Sequence, residues 1–239
     1  VLFLILLLIF IMNQTIHLQV SNLNKTYRHG KQTVLKDINF TAKAGECIGI
    51  LGTNGCGKST LLTLLAGIQT PNSGTIHAFY EDATTSQQPV IGYVPQENPL
   101  IEELTVYDNL KLWYSNSPLQ LDKELEEGSL AMLSIPSFLK KKVKHLSGGM
   151  KKRLTIGCAL ACNPQILLLD EPGAALDLPC KEEILSYLKS YKSAGNIVII
   201  ATHEEPEIAL CDHIFLLRDG TLTEFEYNGD LNALLKGMS

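Results

Sequence analysis

Basic residues are not in surplus in this 239-residue chain: 20 Lys and Arg stand against 25 Asp and Glu, a formal net charge of −5. A protein whose main task is to coat nucleic acid carries the opposite balance, so no nucleic-acid partner is expected. Zinc-type spacing is missing as well. Cys47, Cys56, Cys158, Cys162, Cys180 and Cys211 make no CxxC pair and no Cys/His group with metal spacing. Unpaired thiols of this kind suit a reducing cytoplasm. Cys158 and Cys162, four apart, are read as two small buried hydrophobes on one helix face. Repeats and low-complexity tracts are absent. With 45% apolar and 19% charged residues, disorder and collagen-like structure are excluded.

Only one long apolar run exists, VLFLILLLIFIM at 1–12. As a helix it reaches about 18 Å, short of the roughly 30 Å hydrocarbon core. It has no basic segment before it and no small-residue cleavage site after it, so it does not read as a signal peptide. Residues 1–11 are read as an extension upstream of a true start at Met12, not native to the protein, or alternatively as an interfacial anchor. The folded domain is expected over 12–239.

Short apolar runs suggest strands at 16–20, 34–40, 46–51, 165–169, 197–201 and 214–217, the last followed by the hairpin signal Asp219–Gly220 and an alternating 221–225. Leu61, Leu62, Leu64 and Leu65 fit a buried helix. Residues 71–90 read as turn-rich and polar, and 101–162 as largely helical. Buried strands separated by helices imply a parallel sheet covered on both faces. The expected fold is α/β: a P-loop NTPase sheet core over about 12–100 and 163–225, a small antiparallel β region near its start, and an inserted helical subdomain over about 101–162.

Three motifs carry chemistry. Gly52-Thr53-Asn54-Gly55-Cys56-Gly57-Lys58-Ser59 matches G-x4-G-K-[ST], with a strand before it and a helix after it. Its glycines let backbone N–H groups wrap phosphate, and the helix start adds positive partial charge. Lys58 is expected on the β- and γ-phosphates, Ser59 on Mg²⁺, and Thr60 beside them. Leu167-Leu168-Leu169-Asp170-Glu171 ends a buried strand in two carboxylates, which alternation should point in different directions. Asp170 fits the metal and Glu171 the attacking water. Leu146-Ser147-Gly148-Gly149-Met150 is a second anion-binding helix start. Seven basic residues lie within 140–153, most of them read as a solvated face.

P-loop, LSGGM, LLLDEP, ALD and ATH in this order resemble the ATP-binding-cassette (ABC) ATPases over about residues 14–225. The signature Ser147 stands 23 residues before Asp170. The resemblance implies further roles. Tyr27 would stack on adenine. Gln96, in YVPQEN, would sense the γ-phosphate and metal. Asp177, in AALD, would cross a dimer interface, and His203, in ATHEE, would contact the γ-phosphate. Met150 replaces the common signature Gln. Ala174 and Leu178 depart from the usual hydroxyl and Pro, which puts cross-dimer hydrogen bonding in doubt.

In such proteins each ATP lies between the P-loop of one chain and the Ser147-Gly148-Gly149 signature of another. The resemblance thus implies ATP and Mg²⁺ as ligands, a second cassette chain as partner, and a separate integral-membrane permease reached through the groove around Gln96 and Leu104–Tyr107. It places the chain on the cytoplasmic, inner face of the cell membrane. The LSGGMKKRL form resembles exporter cassettes. The alternative is a soluble ABC ATPase that moves no solute and acts as a mechanochemical or regulatory module. A translation-factor cassette would show two motif sets, and a repair-type one a long coiled coil, where here 90 positions separate Gly57 from Ser147. A P-loop kinase or GTPase would lack the signature.

Overall fold

The computed structural model describes residues 15–27, 32–81, 88–227 and 229. The apolar run at 1–12 lies outside the described residues. Two sheets form. The smaller is antiparallel, built from β1 (Ile16–Tyr27), β2 (Gln32–Lys43) and β4 (Ser73–Tyr80) in the order β2-β1-β4. Alternation gives it one apolar face: Ile16, Leu18 and Val20 of β1 and Ile38, Phe40 and Ala42 of β2 are buried. Strand β4 corrects the reading of 71–90 as turn and polar. It pairs with β1 from Tyr80 opposite Ile16 to Ser73 opposite Asn24. None of its residues is fully buried. An edge strand of this kind is held by its ladder rather than by a hydrophobic stripe, so periodicity does not register it.

The larger sheet holds β3 (Cys47–Leu51), β5 (Ile91–Val94), β6 (Ile166–Asp170), β7 (Ile197–Ala201), β8 (His213–Arg218) and β9 (Thr221–Glu224) in the order β5-β6-β7-β3-β8-β9. All its pairings are parallel except that of β8 with β9. Every residue of β3, β6 and β7 is buried, as strands covered on both faces require. Ile48, Ile50, Leu168 and Ile199 pack with Leu61, Leu62 and Leu65 of α1 (Lys58–Leu65) on one side. Leu167, Leu169, Val198 and Ile200 face the opposite side, toward α5 (Gly148–Ala159) and α6 (Leu178–Ser193), introduced below with the other helices. At the β8–β9 turn Asp219 and Gly220 both have positive φ, 49° and 78°, the conformation a two-residue hairpin needs. Gly220 O accepts from Lys36 N at 2.7 Å and ties the two sheets together.

Residues 101–162 are less regular than the largely helical segment expected. They form α2 (Val106–Tyr114), α3 (Leu121–Glu126), α4 (Ser129–Met132) and α5, with 3₁₀ turns at 135–138, 143–145 and 160–162. Thr105 and Asp108 make a capping box that starts α2. Cys158 is buried in α5, but Cys162 is exposed in the 3₁₀ turn beyond it. The tighter winding after Ala159 carries Cys162 off the face it was expected to share. Helix α6 follows Asp177, and α7 (Glu205–Ile208) follows β7. Among the described residues no helix is long and apolar enough to cross a membrane.

Candidate nucleotide site

Parallel strands align their C-terminal ends, and ligand sites of open α/β sheets form there. The P-loop leaves the end of β3, Gln96 follows β5, Glu171 follows β6 and His203 follows β7. Four loops far apart in sequence therefore meet at one sheet edge.

Gly57, at the N-cap of α1, has φ 116°, and a Cβ there would lie 2.9 Å from Val34 Cγ1. Only glycine lets the loop turn into α1 this closely under β2. A cavity of about 510 Å³ opens above the loop, lined by Asn54, Gly55, Gly57, Lys58, Ser59 and Thr60, with Tyr27 on one side and Gln96 and Glu171 on another. Gly52 is buried at the foot of the loop. Cys56 instead lines an adjoining groove with Arg218 and Asp219. The Lys58 ammonium is buried; it donates to Gly52 O at 2.8 Å and Thr53 O at 3.3 Å and stands 4.0 Å from Glu171 Oε1. Tyr27 donates from its hydroxyl to Gln69 Oε1 at 2.6 Å, and Lys25 Nζ lies 5.2 Å from its ring centroid. The ring is thus fixed at the cavity wall.

Asp170 is buried and Glu171 is not. Their divergence does not come from strand alternation. Glu171 has φ 48°, so the chain leaves the strand in a left-handed turn at that residue. Burial raises the Asp170 carboxyl; the Ser59 hydroxyl opposes this, Glu171 adds to it, and Lys58 and Lys152 oppose it. A buried carboxylate beside a hydroxyl is an oxygen-rich set that suits Mg²⁺. Glu171 Oε2 accepts from Gln96 Nε2 at 3.1 Å, and its other oxygen is 3.8 Å from His203 Nδ1. Gln96, Lys58 and His203 thus converge on one carboxylate.

Ser147 and Gly148 are exposed at the start of α5, and none of residues 147–150 lines the P-loop cavity. Ser147 accepts from Met150 N at 3.3 Å, the expected cap. Asp177 is also occupied locally, accepting from Cys180 N at 3.0 Å to cap α6. Sequence reasoning passed over three residues. Tyr93 on β5 stands near Asp170, and burial first, then that carboxylate, pushes its hydroxyl up to about 12. Glu207 is buried and hydrogen-bonded to Thr202, beside His203. Lys152, counted in a basic run read as mostly solvated, is buried on α5. No local motif marks these three; each acts through tertiary contact.

Residues 35–174 match the family described as ABC transporter. The chain belongs to that family. It is an ATP-binding, ATP-hydrolysing cassette of the class that serves transporters. It is 35% identical to the linearmycin resistance ATP-binding protein LnrL of Bacillus subtilis over 92% of its length, 36% to the Nod factor export ATP-binding protein I of Sinorhizobium fredii over 85%, and 32% to the spermidine/putrescine import ATP-binding protein PotA of Borrelia garinii over 87%. The chain spans 72%, 60% and 61% of those relatives' own lengths. Among solved structures, the dimeric MJ0796 cassette bound to ADP and Pi superposes with a TM-score of 0.75 at 29% identity, covering 89% of this chain and all of that one. The cassette cbiO1 of Clostridium perfringens, described as part of the ABC transporter complex cbiONQ, gives 0.71 at 32% identity over 86% of each chain.

Proposed function

We propose that two copies of this cassette, or this cassette and a second one, close head to tail around ATP and hydrolyse it to drive an integral-membrane permease. The observation that carries the proposal is the convergence of Lys58, Gln96 and His203 on Glu171, at 4.0, 3.1 and 3.8 Å. Tyr27 holds the adenine by its ring face. The P-loop N–H groups of Asn54 through Thr60, with Lys58, bind the β- and γ-phosphates. Ser59, Asp170 and Gln96 are the ligands we assign to Mg²⁺, which when bound neutralises charge on the phosphate oxygens. Glu171 takes a proton from a water as that oxygen bonds to the γ-phosphorus and the bond to the bridging oxygen breaks, giving ADP and phosphate. His203 steadies the γ-phosphate.

The start of α5, where Ser147 and Gly148 are exposed and Gly149 is buried behind them, is the surface we assign to the second chain's ATP, beside Asp177. Closed two-fold symmetry then gives two composite sites. Exposed Ile101, Tyr107, Leu112 and Trp113 leave an apolar surface along α2, next to the Gln96 loop, and this is the face we assign to the permease. Docking there holds the cassette at the cytoplasmic, inner face of the membrane. We favour export, on the LSGGMKKRL signature and the likeness to an export cassette and a resistance cassette; the import relative shows that the fold itself does not fix direction.

Mass by light scattering tests the composite site. Glu171→Gln is expected to double its mass with MgATP but not with MgADP. Adding Ser147→Arg, which puts bulk and charge at the signature, should leave ATP bound and the mass single. A Ser147→Arg form that still doubles its mass would sink the proposal.

A further inference from the structure

We propose that Lys152 is a positioning residue that latches the signature helix to the Gln96 loop, so that the nucleotide site of one protomer sets the pose of the Ser147 end it offers to another. The inference rests on the composite-site reading above. Lys152 is 4% exposed, and its ammonium donates to Pro95 O at 3.0 Å and to Gln96 O at 2.9 Å. One turn further along α5, Thr155 is also buried, its hydroxyl 2.9 Å from Asn98 Oδ1. Helix α5 is therefore fastened by buried polar groups to three residues of the segment 95–98. Within that segment Gln96, whose backbone Lys152 holds, bonds Glu171 through its side chain.

A continuous path results: Glu171, the Gln96 side chain, the Gln96 backbone, Lys152, and then α5 to its cap at Ser147. From Lys152 to Ser147 is five residues, a rigid helical span of about 7.5 Å. Burying an ammonium is costly, and an apolar side chain would pack a helix on a loop more cheaply. The neighbouring basic residues do different work. Lys151 pairs with Glu102 at 2.8 Å, and Arg153 bonds Glu183 and lies over the Phe138 ring. Lys152 alone of the three reaches the Gln96 loop, where it donates to two carbonyls. A latch made of directed hydrogen bonds holds one relative pose of loop and helix. Any shift of Gln96 would carry the bonded helix with it instead of letting it slip.

The test uses the full chain with three variants: Lys152→Met, Lys152→Arg and Thr155→Val. A fluorescent ATP analogue reports binding, steady-state hydrolysis reports turnover, and thermal melting reports folding. Lys152→Met should bind the nucleotide within twofold of the parent yet turn over at least tenfold slower, and should not dimerise with MgATP when combined with Glu171→Gln. Lys152→Arg, which keeps the donors, should recover at least half the parental rate. Thr155→Val should lose at least threefold in turnover with binding retained, and it carries the test alone if Lys152→Met does not fold. Parental turnover in either folded variant would overturn the latch, as would equal losses of binding and turnover. A parent that does not hydrolyse ATP would instead overturn the reading beneath it, and the latch with it.

Discussion

At the scale of single residues, Glu207 shows how a buried group ties the site together. Its carboxyl, 3% exposed on α7, is hydrogen-bonded to the Thr202 hydroxyl and lies against Gly173. Thr202 precedes His203 and Gly173 follows Glu171 by two, so Glu207 braces both loops from below. Burial pushes the acid up to about 7; the Thr202 bond opposes this, Glu204 adds to it, and Gly173 and Lys181 oppose it. An acid with a raised folded-state pKa keeps its proton longer in the native than in the unfolded chain. Its contribution therefore weakens as pH rises from its ordinary value near 4.5 to about 7, by roughly 3 kcal/mol at the upper bound. Glu207→Gln removes this dependence. The urea-unfolding free energy of the variant minus that of the parent should grow in the variant's favour between pH 4.5 and pH 7 and then level off. A difference that is flat across that window would assign the effect elsewhere. Lys58, Ser59, Asp170 and Glu171 stand in local motifs of the sequence, whereas Gln96 and His203 were reached only through the family resemblance. Glu207 and Lys152 were not legible, because burial by distant elements gives each its role.

At the scale of elements, the signature helix meets its neighbour at a contact with no room for a side chain. A Cβ at Gly149 would lie 2.5 Å from Cys180 Sγ and 3.0 Å from Cys180 Cβ. The glycine lets α5 and α6 touch, and so joins the signature to the segment capped by Asp177. Gly149→Ala should cost on the order of 1–3 kcal/mol of overpacking. Cys180→Ala, which removes the sulfur, should return part of it, giving a coupling of about 1 kcal/mol in a double-mutant cycle of chemical denaturation. Strictly additive losses would place the damage elsewhere. The same scale shows where sequence patterning faded. Strands β3, β6 and β7 are buried on both faces and were visible as apolar runs. The edge strand β4 is half-exposed, and β5 has only four residues. Within 101–162 the helical turns are short and interrupted at Pro118, Gly128 and Ser134, the last with φ 53°, so composition suggested helix without its breaks.

At the scale of the whole molecule, the order β5-β6-β7-β3-β8-β9 decides the chemistry. The motif strands occur in the chain as β3, β5, β6 and β7, and the sequence pattern indicates a parallel sheet, but it does not reveal that β7 lies between β3 and β6. That interleaving brings His203 between the phosphate loop and Glu171. Ser147 and Gly148 of the signature are exposed and lie outside the cavity, consistent with a site that a second chain completes. In the proposed mechanism Glu171 activates water while Lys58, Ser59 and Asp170 hold the triphosphate and its metal. Glu171→Gln removes the charge and leaves the other contacts in place. The direct measurement is MgATP affinity and turnover in that one variant. The account predicts affinity within a few-fold of the parent and turnover at least 10²-fold slower, the usual scale for a lost general base. Hydrolysis near the parental rate would contradict it.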